Sequence, residues 1–159
     1  PVKFEITAAL ARLGDAEAKK VVISMALSKY AEDQYSAMMV CADLPEDAAA
    51  PLLLGLRDLP PNVPANELAV ARELTTRRQL VAARALGLRN SIQGLKVAEY
   101  NCQNADPELR ALAAMALAEM IHGTGVRVVA PLLNDADPRV QRAAAEAVVN
   151  IESRSATGA

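Results

Sequence analysis

Two stretches that lie 31 residues apart constrain this chain more than any other feature. Asp106-Pro107-Glu108-Leu109-Arg110 is echoed by Asp137-Pro138-Arg139-Val140-Gln141. In each, the aspartate can cap a helix, and the proline fills the first turn, where no N–H is needed. With Leu109 and Val140 as anchors, a step back of 31 reaches Arg78. Phe4 and Tyr35 are also 31 apart, and only the step from Tyr35 to Arg78 differs, at 43, an insertion of 12. Four, five and seven residues after the five anchors, 13 of 15 positions are Ala; the exceptions are Met39 and Val40. A fixed period of this length marks stacked supersecondary units, none of which can bury its apolar face alone.

The second half of each unit repeats as well. Seventeen residues after the first four anchors stand Val21, Leu52, Leu95 and Val126, and nineteen after stand Ile23, Leu54, Val97 and Val128. Each unit thus reads as two helices, the first with a small-residue face and the second with an aliphatic one. The spacing predicts first helices near 3–13, 32–43, 77–88, 107–121 and 138–152, and second helices near 16–29, 46–58, 91–103 and 125–134. Three prolines, Pro60, Pro61 and Pro64, end a helix and stiffen the insertion. An extra short helix is expected over 66–74, within an insertion spanning 59–76. Thr76-Arg77-Arg78-Gln79 has capping-box spacing and suggests a fresh start there, with one continuous helix from 66 to 88 as the competing reading. The fold class is therefore all-α, an α-α superhelix of about 4.5 two-helix repeats, over residues 1–152 as a single domain. The tail 153–159 reads as flexible. The fifth unit has no second helix, so Val148 and Ile151 are expected to await a further helix or a dimer partner.

Composition agrees. Apolar residues make up 52% and aromatics only 3%, so the core must be built from Ala, Leu, Val and Met. The 33 Ala favour closely packed helices. A net charge of −2 gives no global drive toward nucleic acid or anionic membrane, and no stretch approaches the ~18 apolar residues of a membrane span. The start, Pro1-Val2-Lys3, lacks Met and any leader pattern, which suggests a fragment or a processed product; the expected location is the cytoplasm. Cys41 and Cys102 make no metal pattern and read as reduced, buried thiols, with a disulfide as the alternative.

The Asp-Pro-x-Leu-Arg start, the alanine runs, Ala85-Leu86-Gly87 and the run Val128-Val129-Ala130-Pro131-Leu132-Leu133-Asn134-Asp135 resemble HEAT-like repeats, of the ~30-residue subtype first described in phycobilisome lyases. The resemblance is specific over 78–150 and weaker in the first two units, where Pro1 stands for the capping residue. It implies a right-handed superhelix whose second helices line the concave side. Members are mostly protein-binding scaffolds; some are enzymes or nucleic-acid binders.

Catalytic chemistry finds little footing. His122, the only histidine, precedes Gly123-Thr124-Gly125 and fits a helix end or turn; no His-rich metal centre can be built from it. Asp135 and Asp137 read as an inter-repeat turn and cap rather than an acid–base pair. No cofactor, metal or catalytic residue is assigned.

Charge placement says more. On the second helices, positions 15, 18 and 22 after the anchor lie opposite the aliphatic stripe and hold Lys19, Arg57, Gln93, Lys96, Tyr100 and Arg127. They are the candidate contacts for a protein or peptide partner, acidic in character, with a solvated face as the plain alternative. A second basic cluster, Arg72, Arg77, Arg78, Arg84 and Arg89, nets +3 over 66–90 against Glu67 and Glu73. Its plain alternative is first-helix surface with Asp/Arg pairing between repeats, of which Arg110 with Asp106 or Asp137 is the expected example. The leading reading is a non-enzymatic interaction scaffold that needs no membrane or nucleic acid and has a self-association route through its last helix. The alternatives are a subunit of a HEAT-type enzyme, bilin-lyase-like or DNA-glycosylase-like, or a nucleic-acid-binding solenoid. The glycosylase reading suffers from the absence of Trp to hold a flipped base.

Overall fold

The computed structural model describes residues 2–28, 30–44, 49–58, 69–120 and 124–157, with backbone alone for 2, 58, 69–72 and 124. Among them every regular element is helical. The helix pairs are α1 (Val2–Arg12) with α2 (Ala16–Ala26), α3 (Ala31–Asp43) with α4 (Ala49–Asp58), α5 (Ala69–Leu88) with α6 (Leu95–Asn101), and α7 (Pro107–Ala118) with α8 (Thr124–Val129). A 3-10 turn, Ala130–Asn134, continues α8, and α9 (Pro138–Ala156) stands without a second helix among the described residues.

Local chemistry sets these limits. Asp106 and Asp137 cap α7 and α9, each accepting a 2.8 Å hydrogen bond from the backbone N–H two residues on, and Asp15 caps α2 through Ala18 N–H. Pro131 has no N–H to give to the preceding turn, so the second helix expected over 125–134 becomes α8 plus a 3-10 turn. Helix α6 is shorter than the expected 91–103 because the chain leaves α5 slowly. Asn90 takes a left-handed φ of 60°, and Ser91 N–H reaches back to Leu86 C=O, a Schellman closure that uses residues 89–94 as a turn.

Two expectations need correction. No fresh helix starts at Thr76: α5 is one helix across that point, as in the competing reading. An ion pair from Arg77 Nη2 to Glu73 Oε1 at 2.9 Å spans the supposed break and ties one turn to the next. The expected extra helix over 66–74 lies partly outside the described residues. The tail does not fray at Ser153: α9 continues to Ala156. Arg154 Nη2 holds Glu119 at 2.8 Å, and the Ser155 hydroxyl donates to Ile151 C=O. Ile151 is buried, and Val148 is half-buried against the core. The outward face of α9 instead carries Arg142, Glu146 and Val149.

The first helices α3, α5, α7 and α9 pack on one another in chain order, and each second helix lies on the first helix of the next unit: α2 on α3, α4 on α5, α6 on α7. The core fills the space between the two rows. Most of the repeat alanines lie in it: Ala8, Ala11, Ala82, Ala83, Ala85, Ala113, Ala114, Ala116, Ala144 and Ala147 are all essentially solvent-free, while Ala9 and Ala145 face outward. Alanine at these positions lets helices approach closely while keeping high helix propensity. Helix α5 joins two core clusters: Val81, Ala82, Ala85 and Leu86 pack toward the first two units, Leu80 and Ala83 toward the last two. Cys41 and Cys102 are free, buried and in different clusters, and burial pushes each thiol up to about 11, so both stay protonated near neutral pH.

Candidate functional site

Three members of the basic cluster on the first helices, Arg77, Arg84 and Arg89, are engaged within the protein. Arg77, Glu108 and Arg139 each stand one residue before an anchor, 31 residues apart, and form a ladder across units three to five: Arg77 and Arg139 both donate to Glu108. A second ladder joins Arg84, Glu119 and Arg154, with Glu119 between two guanidinium groups. Arg12 Nε meets Asp43 at 2.9 Å, again 31 residues apart. Arg89 donates to Cys41 C=O and Leu44 C=O, closing the C-terminus of α3, where unpaired carbonyls and the helix dipole favour a cation. Arg78 lies beside Tyr35, whose hydroxyl burial raises in pKa and which donates to Leu74 C=O; Arg78 Nε is buried with no partner among the described residues. The Arg72 side chain and His122 lie outside the described residues.

Arg110 pairs with neither Asp106 nor Asp137. Its Nε and Nη2 grip both oxygens of Asp135, at 2.7 and 2.8 Å, and its Nη1 donates to Asn104 C=O and Ala105 C=O. The fork geometry of guanidinium favours this bidentate choice. It holds the Asp135 carboxyl below its ordinary pKa, helped by Asp137 N–H. Asp137 is pulled to about 2 by its bonds to Arg139. Both aspartates are thus ionised at neutral pH, and their partners are structural. Among the described residues no group of three His, Cys, Asp or Glu side chains is placed to hold a metal ion.

The six second-helix candidates do not share one face. At the eighteenth position after the anchor, units one and two carry Val22 and Leu53, both fully buried, while units three and four carry Lys96 and Arg127, both exposed. The inward position is offset 18 in units one and two but offset 20 in units three and four, where Ala98 and Val129 are fully buried, so the second helices face the core at two different rotational phases. Arg57 and Gln93 are brought together, as Arg57 Nη1 donates to Gln93 C=O and braces the turn before α6. Lys19 is half-buried on α2. Lys96 and Tyr100 share a hollow of about 480 Å³ between α5 and α6, whose other wall is Thr76 and Gln79. Tyr100, 82% exposed, also borders a second hollow of about 580 Å³ with Glu99, Gln103 and Asn104.

The floor of this double groove is fixed by amides. Asn101, only 5% exposed, donates to Val97 C=O at 2.9 Å and accepts from Asn104 Nδ2 at 2.9 Å. Asn104 Oδ1 in turn accepts from Asp106 N–H, and Arg110 clamps the carbonyls of 104 and 105. These amides escaped the sequence reading. The signal was present: Tyr100-Asn101-Cys102-Gln103-Asn104 is the one amide-rich run in an alanine-rich chain. By contrast, the hollow on the first-helix side, about 240 Å³ with Ala111, Leu112 and Met115, is rimmed by Arg77, Arg139 and Glu108, which are paired with one another.

Comparison with known proteins supports the architecture. Residues 95–158 match HEAT repeats. No curated protein sequence matches the chain. Among solved structures, the crystal structure of an engineered protein is similar with a TM-score of 0.50 at 22% identity, over 93% of this chain and 71% of that one, a likeness of fold alone. HEAT repeats generally mediate protein–protein interaction. No described helix is long and apolar enough to cross a membrane. Residues 95–158 are thus similar to HEAT repeats, and with the helix pairs stacked before them the described residues form an all-α, HEAT-like solenoid.

Proposed function

We propose that the chain is a non-enzymatic interaction scaffold that binds a protein segment bearing at least one acidic side chain on the second-helix side of units three and four. The observation that carries this reading is a contrast in cations. Arg77, Arg84 and Arg89 of α5 are held in ladders and caps, whereas Lys96, on the wall of the Tyr100 groove, and Arg127, on α8, stand exposed. Exposed charges of this kind steer a partner and fix its register, and a large exposed aromatic is the usual anchor at an interface. In a HEAT superhelix this side is the concave one, which suits an extended or helical partner segment. Arg57 and Gln93 form the rim toward α4, and Lys19 lies beyond them on α2.

The test is affinity capture from native lysate with three forms of the chain. The wild type is expected to retain a defined partner. The double reversal Lys96→Glu/Arg127→Glu should retain it at least about tenfold less, the equivalent of ~1.4 kcal/mol. Arg142→Glu, on the outer face of α9, should retain it fully, and all three should keep the same helical circular dichroism. Equal retention by the double variant, or no partner for the wild type, would contradict the proposal.

A further inference from the structure

The two hollows beside Tyr100 differ in charge, and that difference specifies a ligand. Lys96 lines the hollow toward α5, and Glu99 lines the one toward the α6–α7 turn. The two are three residues apart on one short helix, a spacing at which opposite charges often pair, yet among the described residues no ion pair joins them. Each instead faces its own cavity, with the Tyr100 side chain as the shared wall. Side-chain amides border both: Gln79 and Asn104 on one, Gln103 and Asn104 on the other. The exposed Gln103 amide both donates and accepts, which matches the C=O and N–H groups of a peptide backbone. The Asn101–Asn104 chain fixes the floor before any ligand arrives, so little ordering is left for binding.

Resting on the scaffold reading above, we infer that this double groove is a two-part site for an extended peptide carrying an acidic and a basic side chain two residues apart. In an extended segment, side chains i and i+2 point the same way, ~6.6 Å apart. That separation lets them straddle one aromatic ring. The acidic side chain enters the Lys96 hollow, the basic one enters the Glu99 hollow, and the intervening backbone crosses the Tyr100 ring. A purely acidic segment would place a carboxylate beside Glu99, and a purely basic one an ammonium beside Lys96. Like-charge contact of this kind selects against wrong partners as strongly as attraction selects the right one.

The experiment uses the full chain on an array of ten-residue Gly/Ser peptides with central Asp-x-Lys, Lys-x-Asp, Asp-x-Asp, Lys-x-Lys and Ser-x-Ser cores. One mixed-charge order is expected to bind at least about fivefold above every other core. Tyr100→Ala should abolish that preference. The exchange Lys96→Glu/Glu99→Lys leaves the net charge of the groove unchanged and should reverse the preferred order. Strongest binding to Asp-x-Asp, no preference among the cores, or a preference that survives both variants would overturn the two-part site. Those outcomes leave the scaffold reading to stand or fall on its own capture experiment, which reads Lys96 and Arg127 together and needs no defined peptide.

Discussion

Adding one methyl group at Gly94 is expected to destabilise the chain by about 3 kcal/mol, at the upper end of what overpacking costs. For a domain of this size the melting temperature should fall by about 6–12 °C. Gly94 precedes α6, where the turn from α5 closes, and a Cβ built there would lie 2.6 Å from both Ala83 Cα and Ala83 Cβ and 3.0 Å from Ala83 C=O. The atoms it meets are backbone and a methyl stub, so no side-chain rotation relieves the clash. Helix α6 must move away from α5, and the groove between Thr76 and Gln79 on one wall and Lys96 and Tyr100 on the other must open. Gly55 supplies the opposite sign. It lies inside α4 with nothing within 4 Å of its would-be Cβ. Gly55→Ala should therefore stabilise by about 0.5–1 kcal/mol through helix propensity alone. Thermal melts followed at 222 nm check both, and a Gly94→Ala midpoint equal to wild type would refute the close α5–α6 contact.

Arg110→Ala is the second large effect. Its guanidinium makes two bonds to Asp135 and two to the carbonyls of 104 and 105, with the Arg110 side chain 18% and the Asp135 side chain 9% exposed. The pair sits between an exposed bridge, worth at most about 1 kcal/mol, and a fully buried one, whose disruption costs about 3–5 kcal/mol. A loss of about 2 kcal/mol and of roughly 4–8 °C follows. Arg110→Lys should recover only part of it, because an ammonium cannot reproduce the fork. The pH dependence has a fixed sign. Asp135 and Asp137 have folded pKa values below their unfolded ones, Asp137 at about 2. Their contribution is fully present above the unfolded value near ~4 and is lost as pH falls toward ~2. The midpoint of the wild type should thus drop between about pH 4 and pH 2, and that of Arg110→Ala should drop less. Parallel curves for the two proteins would remove Asp135 from the account.

What the sequence reveals divides along physical lines. The Asp-Pro anchors at 106 and 137 were legible because capping is a local reaction of a side chain with its own backbone. The alanine register was legible because close packing of first helices recurs in each unit. The unbroken α5 was not, since Thr76-Arg77-Arg78-Gln79 satisfies a capping box as well as a helix interior, and the Glu73–Arg77 pair decides between them. Of the six second-helix candidates, only those of units three and four are exposed. A single offset from the anchor assumes one rotational phase, but Ala98 and Val129 take the inward position at offset 20, so offset 18 selects core in Val22 and Leu53 but surface in Lys96 and Arg127. The Arg110–Asp135 grip and the Asn101–Asn104 floor join residues brought together by the fold, and the repeat pattern carries no information about them.

The claim that binding occurs on the second-helix side of units three and four is tested most directly by hydrogen–deuterium exchange on the chain with and without its captured partner. Added protection is predicted over residues 95–104 and 124–129, with exchange along the outer faces of α7 and α9 unchanged. Protection confined to α7 and α9 would contradict it and place the partner on the ladder side instead.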